Sequence, residues 1–286
     1  MKTSLDCIPC FLRQALDVAR LSTADASIHE RILRDVLQWA GGMNLDQPPP
    51  LLAQRIHRRL RELTGMEDPY RAAKNRHNAL ALKMLPRLRA EIASASDPLI
   101  MAVRLSIAGN IIDMGVNGGF TETDLRRSLD EALTEPFSGD TDGFHRSVAQ
   151  AANILYLADN AGEIAFDRLL IEQLPAENVT VAVRGAPVIN DATMADALAL
   201  GLQEIAEVID NGSDAPGTVL ADCSREFNRH FDEADLILAK GQGNFETLSD
   251  ENRNIYFLLK AKCPVIASHI GLPMGTHILK RVRSSG

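Results

Sequence analysis

With 286 residues the chain can bury one large core or two modest ones, and its formal charge of -8, from 38 acidic and 30 basic residues, excludes the basic surface on which general nucleic-acid and membrane binders rely. No apolar run approaches the roughly 20 residues that span a bilayer, and Asp6, Arg13 and Asp17 interrupt the stretch where a secretory leader would be apolar. Four cysteines are too few for a disulfide scaffold in a chain of this length, so the expectation is a cytoplasmic protein with reduced thiols.

From Cys10 to about Ala40, apolar residues recur at helical spacing: Phe11, Leu12, Ala15, Leu16 and Ala19, then Ile32, Leu33, Val36 and Leu37. Gly41-Gly42 and Pro48-Pro49-Pro50 break the pattern before a further helical run through Leu51, Leu52, Ile56, Leu60 and Leu63. Asp68-Pro69 and Asp97-Pro98 are helix-start signals for runs from Tyr70 to Ile92 and from Leu99 to Ile107. Thr121-Glu122-Thr123-Asp124 caps a short helix reaching Leu133, so residues 1–145 read as a helical domain. From Asn153 the grammar changes. Strand-like runs at 154–158, 179–183, 205–209, 235–239 and 265–267 enclose helical segments at about 162–173 and 191–200. That alternation predicts a doubly wound α/β domain over 146–286, its mainly parallel sheet covered on both faces.

In open α/β sheets a ligand sits beyond the carboxyl ends of the strands. Asp159 and Asn160 stand directly after the first strand, and Asp191, preceded by Asn190, stands shortly after the second. Three such oxygen donors, with positions left for water and a phosphoryl oxygen, suit a hard divalent cation. The rival reading makes Asp159-Asn160 a helix cap ahead of Ala161. Lys240-Gly241-Gln242-Gly243-Asn244 follows another strand and matches neither the dinucleotide nor the Walker pattern. It reads either as an anion cradle or as a turn with a solvated lysine. The loop Asp210 to Thr218 offers further hydroxyls and amides, as does any polar turn. Asn110 and Asp113 share one face if the helix continues through them, and either reach the site or satisfy the helix end. Cys7-Ile8-Pro9-Cys10 has no second pair, because Cys223 and Cys263 are 40 residues apart, and no strand precedes it. It reads as a structural or weak metal-binding pair rather than a redox centre. The absence of GxSxG leaves an esterase triad without support.

Five segments in order carry a family likeness: Cys7-Ile8-Pro9-Cys10, Ala108-Gly109-Asn110-Ile111-Ile112-Asp113-Met114-Gly115, Leu157-Ala158-Asp159-Asn160-Ala161-Gly162-Glu163, Arg184-Gly185-Ala186-Pro187-Val188-Ile189-Asn190-Asp191-Ala192-Thr193 and Lys240-Gly241-Gln242-Gly243-Asn244-Phe245-Glu246. Together they resemble the metal-dependent damage-control phosphatases, an ARMT-like family formerly a domain of unknown function, and within it the stand-alone prokaryotic branch with an N-terminal CxxC. The likeness runs over nearly the whole chain. It implies a helical domain joined to a Rossmann-like three-layer α/β/α domain, and a phosphoric monoester hydrolase supported by manganese, cobalt, nickel or magnesium.

Carried over residue by residue, the resemblance makes Asp159, Asn160 and Asp191 the metal ligands and catalytic centre. Lys240, Gly241, Asn244, Asn110, Asp113 and Glu163 become phosphate or substrate contacts. The acidic substrate residue of the eukaryotic branch falls one position away from Glu163, and its RTxK motif is absent here, with Lys262 the nearest counterpart. No recognisable methyl-donor site accompanies the carboxyl methyltransferase activity described for that branch. The expected partner is a small phosphorylated metabolite, a sugar phosphate or a damaged phospho-metabolite, not a nucleic acid or a membrane; oligomeric state leaves no sequence signal. Asp159-Asn160 is not the DxDx signature of aspartyl-phosphate enzymes, which favours metal-activated water as the attacking group. The rival from another class is a non-catalytic sensor that binds a phosphorylated metabolite in the same crevice.

Overall fold

The computed structural model describes residues 1–109 and 122–282. Helices α1 (Cys7–Ser22), α2 (Ala26–Gly41), α3 (Pro50–Thr64), α4 (Arg71–Ser94), α5 (Pro98–Ala108) and α6 (Glu122–Thr134) come first. There follow β1 (Phe137–Gly139), α7 (Thr141–Gln150), β2 (Ile154–Leu157), α8 (Glu163–Ile171), β3 (Val179–Val183), α9 (Met194–Ala199) and β4 (Glu207–Asp210). The chain closes with α10 (Arg225–Glu233), β5 (Leu236–Lys240), α11 (Gly241–Leu248), β6 (Ile255–Lys260), α12 (Pro264–Ile270) and β7 (His277–Val282).

The helix starts obey local chemistry. Asp25 accepts from the Ser27 amide at the head of α2, and Asp97 accepts from Ile100 with Pro98 in the first turn of α5. Each such cap is worth about 1 kcal/mol. The periodic apolar stripes then meet: Phe11, Ala15 and Val18 of α1, Ile32 and Val36 of α2, and Leu52, Ile56 and Leu60 of α3 form one core.

The sheet has seven strands in the order β1-β7-β6-β5-β2-β3-β4. From β6 to β4 all are parallel, whereas β7 runs antiparallel to β6 and carries β1 parallel to itself. Every residue of β2 and β5 is buried, as expected for central strands covered on both faces. On one face Tyr156, Val181 and Leu238 pack with Leu85, Leu88, Leu105, Phe166 and Leu169. On the other, Leu155, Ile237 and Phe257 pack with Phe227, Phe231, Phe245 and Leu248. One covering layer therefore includes α4 and α5 from the helical region, and β1 joins the sheet from before residue 146. Among the described residues no helix is long and apolar enough to cross a membrane.

One expected element is corrected. Residues 265–267, read as a strand, lie in α12. The Cys263 side chain accepts from the Ile266 amide, Pro264 occupies the first turn, and Gly271 ends the helix in the left-handed region at φ 79°. These start and stop signals override the β-branched Val265-Ile266 pair. The strand next to β5 is instead Ile255–Lys260.

The topology dictates where chemistry sits. From β2 the chain winds outward through β3 and β4, then returns to lay β5 on the other side of β2 and continues to β6. Between β2 and β5 the winding reverses, which opens a crevice at their carboxyl ends.

Candidate functional site

The loops that leave β2 and β3 are joined by main-chain hydrogen bonds. Ala161 N donates to Asn190 O at 2.9 Å and Ala192 N to Asp159 O at 2.7 Å, so Asn160 and Asp191 lie opposite one another in an isolated antiparallel bridge. Arg184 N donates to Ala192 O at 2.9 Å, closing the second loop on itself. Ile189 sits in that loop at φ 45°, a conformation a β-branched residue adopts only under constraint from its surroundings.

Arg184, 2% exposed, is the hub of the side chains. Its Nε donates to Asp191 Oδ2 at 2.7 Å and its Nη2 lies 3.7 Å from Asp159 Oδ1, so both carboxylates face one guanidinium. The Asn160 carboxamide is oriented by its own donors: Nδ2 gives hydrogen bonds to Asp159 Oδ2 at 2.8 Å and Glu163 Oε2 at 3.0 Å. Its Oδ1 is thereby the end left for a cation. The head of α11 closes over Asp159. Gly241 has φ 75°, and a Cβ there would stand 1.9 Å from Asp159 Oδ2, so only glycine serves.

Beneath this layer lies a buried ionic group. Lys240, fully buried, donates from Nζ to Ser106 O at 3.0 Å, to Glu163 Oε1 at 2.7 Å and to Asp167 Oδ1, which uses all three ammonium hydrogens. Ser106 Oγ also donates to Asp167 Oδ1 at 2.8 Å. Burial pushes the Asp167 carboxyl up to about 6, against the opposing pull of Lys240. Burial alone would lower the Lys240 pKa, but Asp167 and Glu163 reverse that and raise it, so the ammonium stays charged.

Among the described residues, the carboxylates of Asp159, Asp191, Glu163 and Asp167 are paired with the cations of Arg184 and Lys240, a formal charge of -2. Unbalanced charge out of water is costly. A divalent cation held by Asp159, Asn160 Oδ1 and Asp191 would cancel it, and the donor set is the all-oxygen kind that hard cations prefer. Donor chemistry, amide orientation and charge therefore all fit a bound dication. Among the described residues no three His, Cys, Asp or Glu side chains are grouped to hold a metal; this set has two carboxylates and a carboxamide.

The helical region braces the loops. Asn78 Oδ1 on α4 accepts from Gly162 N at 2.6 Å, while its Nδ2 donates to Asp196, which also pairs with buried Lys74 at 2.7 Å. From α3, Gln54, Arg58 and Arg61 grip Asp214, Gln54 and Arg58 also reach Asp222, and Arg61 Nη1 donates to Pro187 O at 2.9 Å. Although burial would raise the Asp214 carboxyl pKa, its hydrogen bonds to Arg58 and Gln54 leave it below the ordinary value.

The structure thus brings Asp159, Asn160, Asp191, Glu163, Lys240, Asn244 and Gly241 to the carboxyl ends of β2, β3 and β5. Asn244 is fully buried: it donates to Ala158 O and Lys240 O, and accepts from Thr218 Oγ1 at 2.8 Å. Lys240 is not the exposed cation its place after a strand implied, and it reaches a phosphate only by releasing a present partner. Asn110 and Asp113 lie outside the described residues. In the loop after β4, Asn211 Oδ1 accepts from Gly185 N and Ser213 N, and Ser213 Oγ donates to Asp222. Cys7 and Cys10 open α1 as free thiols whose pKa burial raises. Cavities of about 580 and 280 Å³ lie at the opposite end of the sheet, beside Asp235 and beside Asn178, and none of Asp159, Asn160 and Asp191 lines them.

Sequence reading gave no role to Arg184, Asp167, Ser106 or Asn78. The signal for Asp167 was present, since it is the one charged residue between Glu163 and Arg168 in the run Ile164-Ala165-Phe166-Asp167. A carboxylate on a buried helix face needs a partner.

The profile of the damage-control phosphatase ARMT1-like domain matches residues 3–278. A damage-control phosphatase of Archaeoglobus fulgidus is 37% identical over 289 residues, covering 99% of this chain and all of that one. A damage-control phosphatase of Pyrococcus horikoshii is 34% identical over 287 residues, covering 98% of each. The crystal structure of a DUF89 family protein from Pyrococcus horikoshii superposes with a TM-score of 0.88 at 34% identity, over 99% of this chain and 100% of that chain.

Proposed function

The chain belongs to the damage-control phosphatase ARMT1-like family, and from that premise we propose that it is a divalent-metal-dependent phosphatase that hydrolyses phosphate monoesters of small metabolites. The observation that carries the metal is the buried group in which Asp159 and Asp191 share one guanidinium, Asn160 turns its oxygen outward, and the ionised side chains leave a formal -2. Asp159, Asn160 and Asp191 would hold the ion. When bound, it would supply Lewis-acid stabilisation of charge developing on the phosphoryl oxygens.

The chain's own residues account for the rest. Arg184 fixes the Asp191 carboxylate by a 2.7 Å hydrogen bond and limits the repulsion between Asp191 and Asp159. Gly241 lets the head of α11 approach Asp159, which sets the positive end of that helix beside the crevice where a phosphoryl group would bind. Lys240 lies one layer deeper and contributes positive potential without direct contact. Magnesium and manganese suit such oxygen donors best, cobalt and nickel are added by the family likeness, and the substrate class is a sugar phosphate or a damaged phospho-metabolite.

The test is hydrolysis of p-nitrophenyl phosphate, then of a panel of phosphorylated metabolites, by chelator-treated protein with each cation restored in turn. Phosphate release should require the cation and be lost in Asp159→Ala. Cation-independent turnover, or wild-type turnover in that variant, rejects the reading; ligand-induced thermal stabilisation with no release would mark a sensor.

A further inference from the structure

Asn160 presents oxygen to the crevice only if its amide is held the other way round, and the side chains that hold it form a chain leading away from the site. Glu163 Oε2 takes the Asn160 Nδ2 hydrogen at 3.0 Å, while Glu163 Oε1 takes a hydrogen from Lys240 Nζ at 2.7 Å. Lys240 is held in turn by Asp167 Oδ1 and by the Ser106 carbonyl, and Ser106 Oγ pins the same Asp167 oxygen at 2.8 Å. All five residues are at most 5% exposed, so solvent cannot replace any link. A buried ion pair contributes little net stability compared with apolar packing, which makes one retained beside a site a candidate for orienting what it touches.

We propose that Asp167, seated by Ser106, is a positioning residue for the ion site: it holds Lys240 against Glu163, and Glu163 thereby fixes the Asn160 carboxamide with its oxygen toward the cation. Asp167 touches neither ion nor substrate. Without it Lys240 keeps only Glu163 and the Ser106 carbonyl, so its ammonium shifts from the side Asp167 vacates and draws Glu163 Oε1 with it, which displaces Glu163 Oε2 from the Asn160 NH₂ and lets that amide turn toward the ion. The inference rests on the proposed metal site and adds a residue that acts on it from two side chains away.

The experiment measures Mn²⁺ binding to the full chain by the electron paramagnetic resonance signal of the free ion, without substrate. Asp167→Leu should weaken Mn²⁺ affinity about 10- to 100-fold, the usual cost of losing an outer-shell partner. Asp167→Asn keeps an oxygen acceptor for Lys240 and Ser106, and should stay within about threefold of wild type on the same scale. Equal losses in both variants would mean that only the charge matters, and would overturn the positioning role, as would an unchanged affinity in Asp167→Leu. Should Asp167→Leu fail to fold, Ser106→Ala carries the test, since it removes the hydroxyl that seats Asp167 and otherwise meets only the Tyr156 hydroxyl at 3.3 Å; unchanged Mn²⁺ affinity there rejects the proposal. Asp159→Ala is the control. If that variant binds Mn²⁺ like wild type, the metal site itself is wrong; if it does not and the Asp167 variants behave normally, only the positioning role falls.

Discussion

Two ionic clusters meet at the loop that follows β3, and their charges balance differently. On the α3 side, Arg58 and Arg61 face Asp214 and Asp222, two cations against two anions. On the sheet side, four carboxylates face Arg184 and Lys240. The first cluster is complete as it stands and fastens helix to loop. The second is more deeply buried and, among the described residues, carries a formal -2, the imbalance that the proposed dication would cancel. A neutral cluster near a crevice reads as a fastening, whereas an unbalanced one at strand ends is what the proposed ion site requires.

The sharpest way to break this contrast is Asp159→Ala. It should reduce turnover by about 10³-fold or more, on the order of 4 kcal/mol of barrier, while leaving the melting temperature unchanged or higher because it relieves excess negative charge. A drop in melting temperature would put Asp159 in the fastening class. Gly241→Ala comes next. Its Cβ collides with Asp159 Oδ2 and its φ of 75° is strained, so displacement of the carboxylate should cost about 10²-fold in activity; full activity would show that the head of α11 gives way.

Asp214→Ala should do the reverse, lowering stability in urea by about 1–3 kcal/mol, a range discounted because Arg58 is half exposed. Turnover per folded molecule should stay within about twofold of wild type. The smallest effect is confined to acid. Burial first, and the Arg61 charge second, push the His57 pKa down to about 4 from 6.5. The unfolded chain takes up that proton near pH 6.5 and the folded one does not, so this contribution is full above pH 6.5 and is lost as pH falls toward 4. His57→Phe should flatten that limb of the stability curve by about 1–3 kcal/mol at its acid end, and parallel curves for variant and wild type would dismiss the assignment.

What could be read beforehand follows the same divide. β2, β3 and β5 were legible because each is a run of β-branched or apolar residues between helical segments. β6 was not, because Ile255-Tyr256-Phe257-Leu258-Leu259-Lys260 suits a buried helix as well as a strand. β1 spans three residues and pairs only with β7, far along the chain, so nothing local announces it. Asp159 and Asn160 stood out as candidates because they come straight after a buried strand, and Asp191 because it lies in the loop that leaves the next one. The depth of Lys240 and the hub role of Arg184 were not, because each is set by side chains arriving from other elements: Ser106 and Asp167 for one, Asp191 for the other.

The two main-chain bonds that tie Asp159 and Asn190 to the neighbouring loop do not depend on which side chains those loops carry. A lineage can therefore exchange rim residues one at a time, while the frame that holds Asp159, Asn160 and Asp191 passes on intact. Specificity in such a scaffold is free to drift faster than architecture.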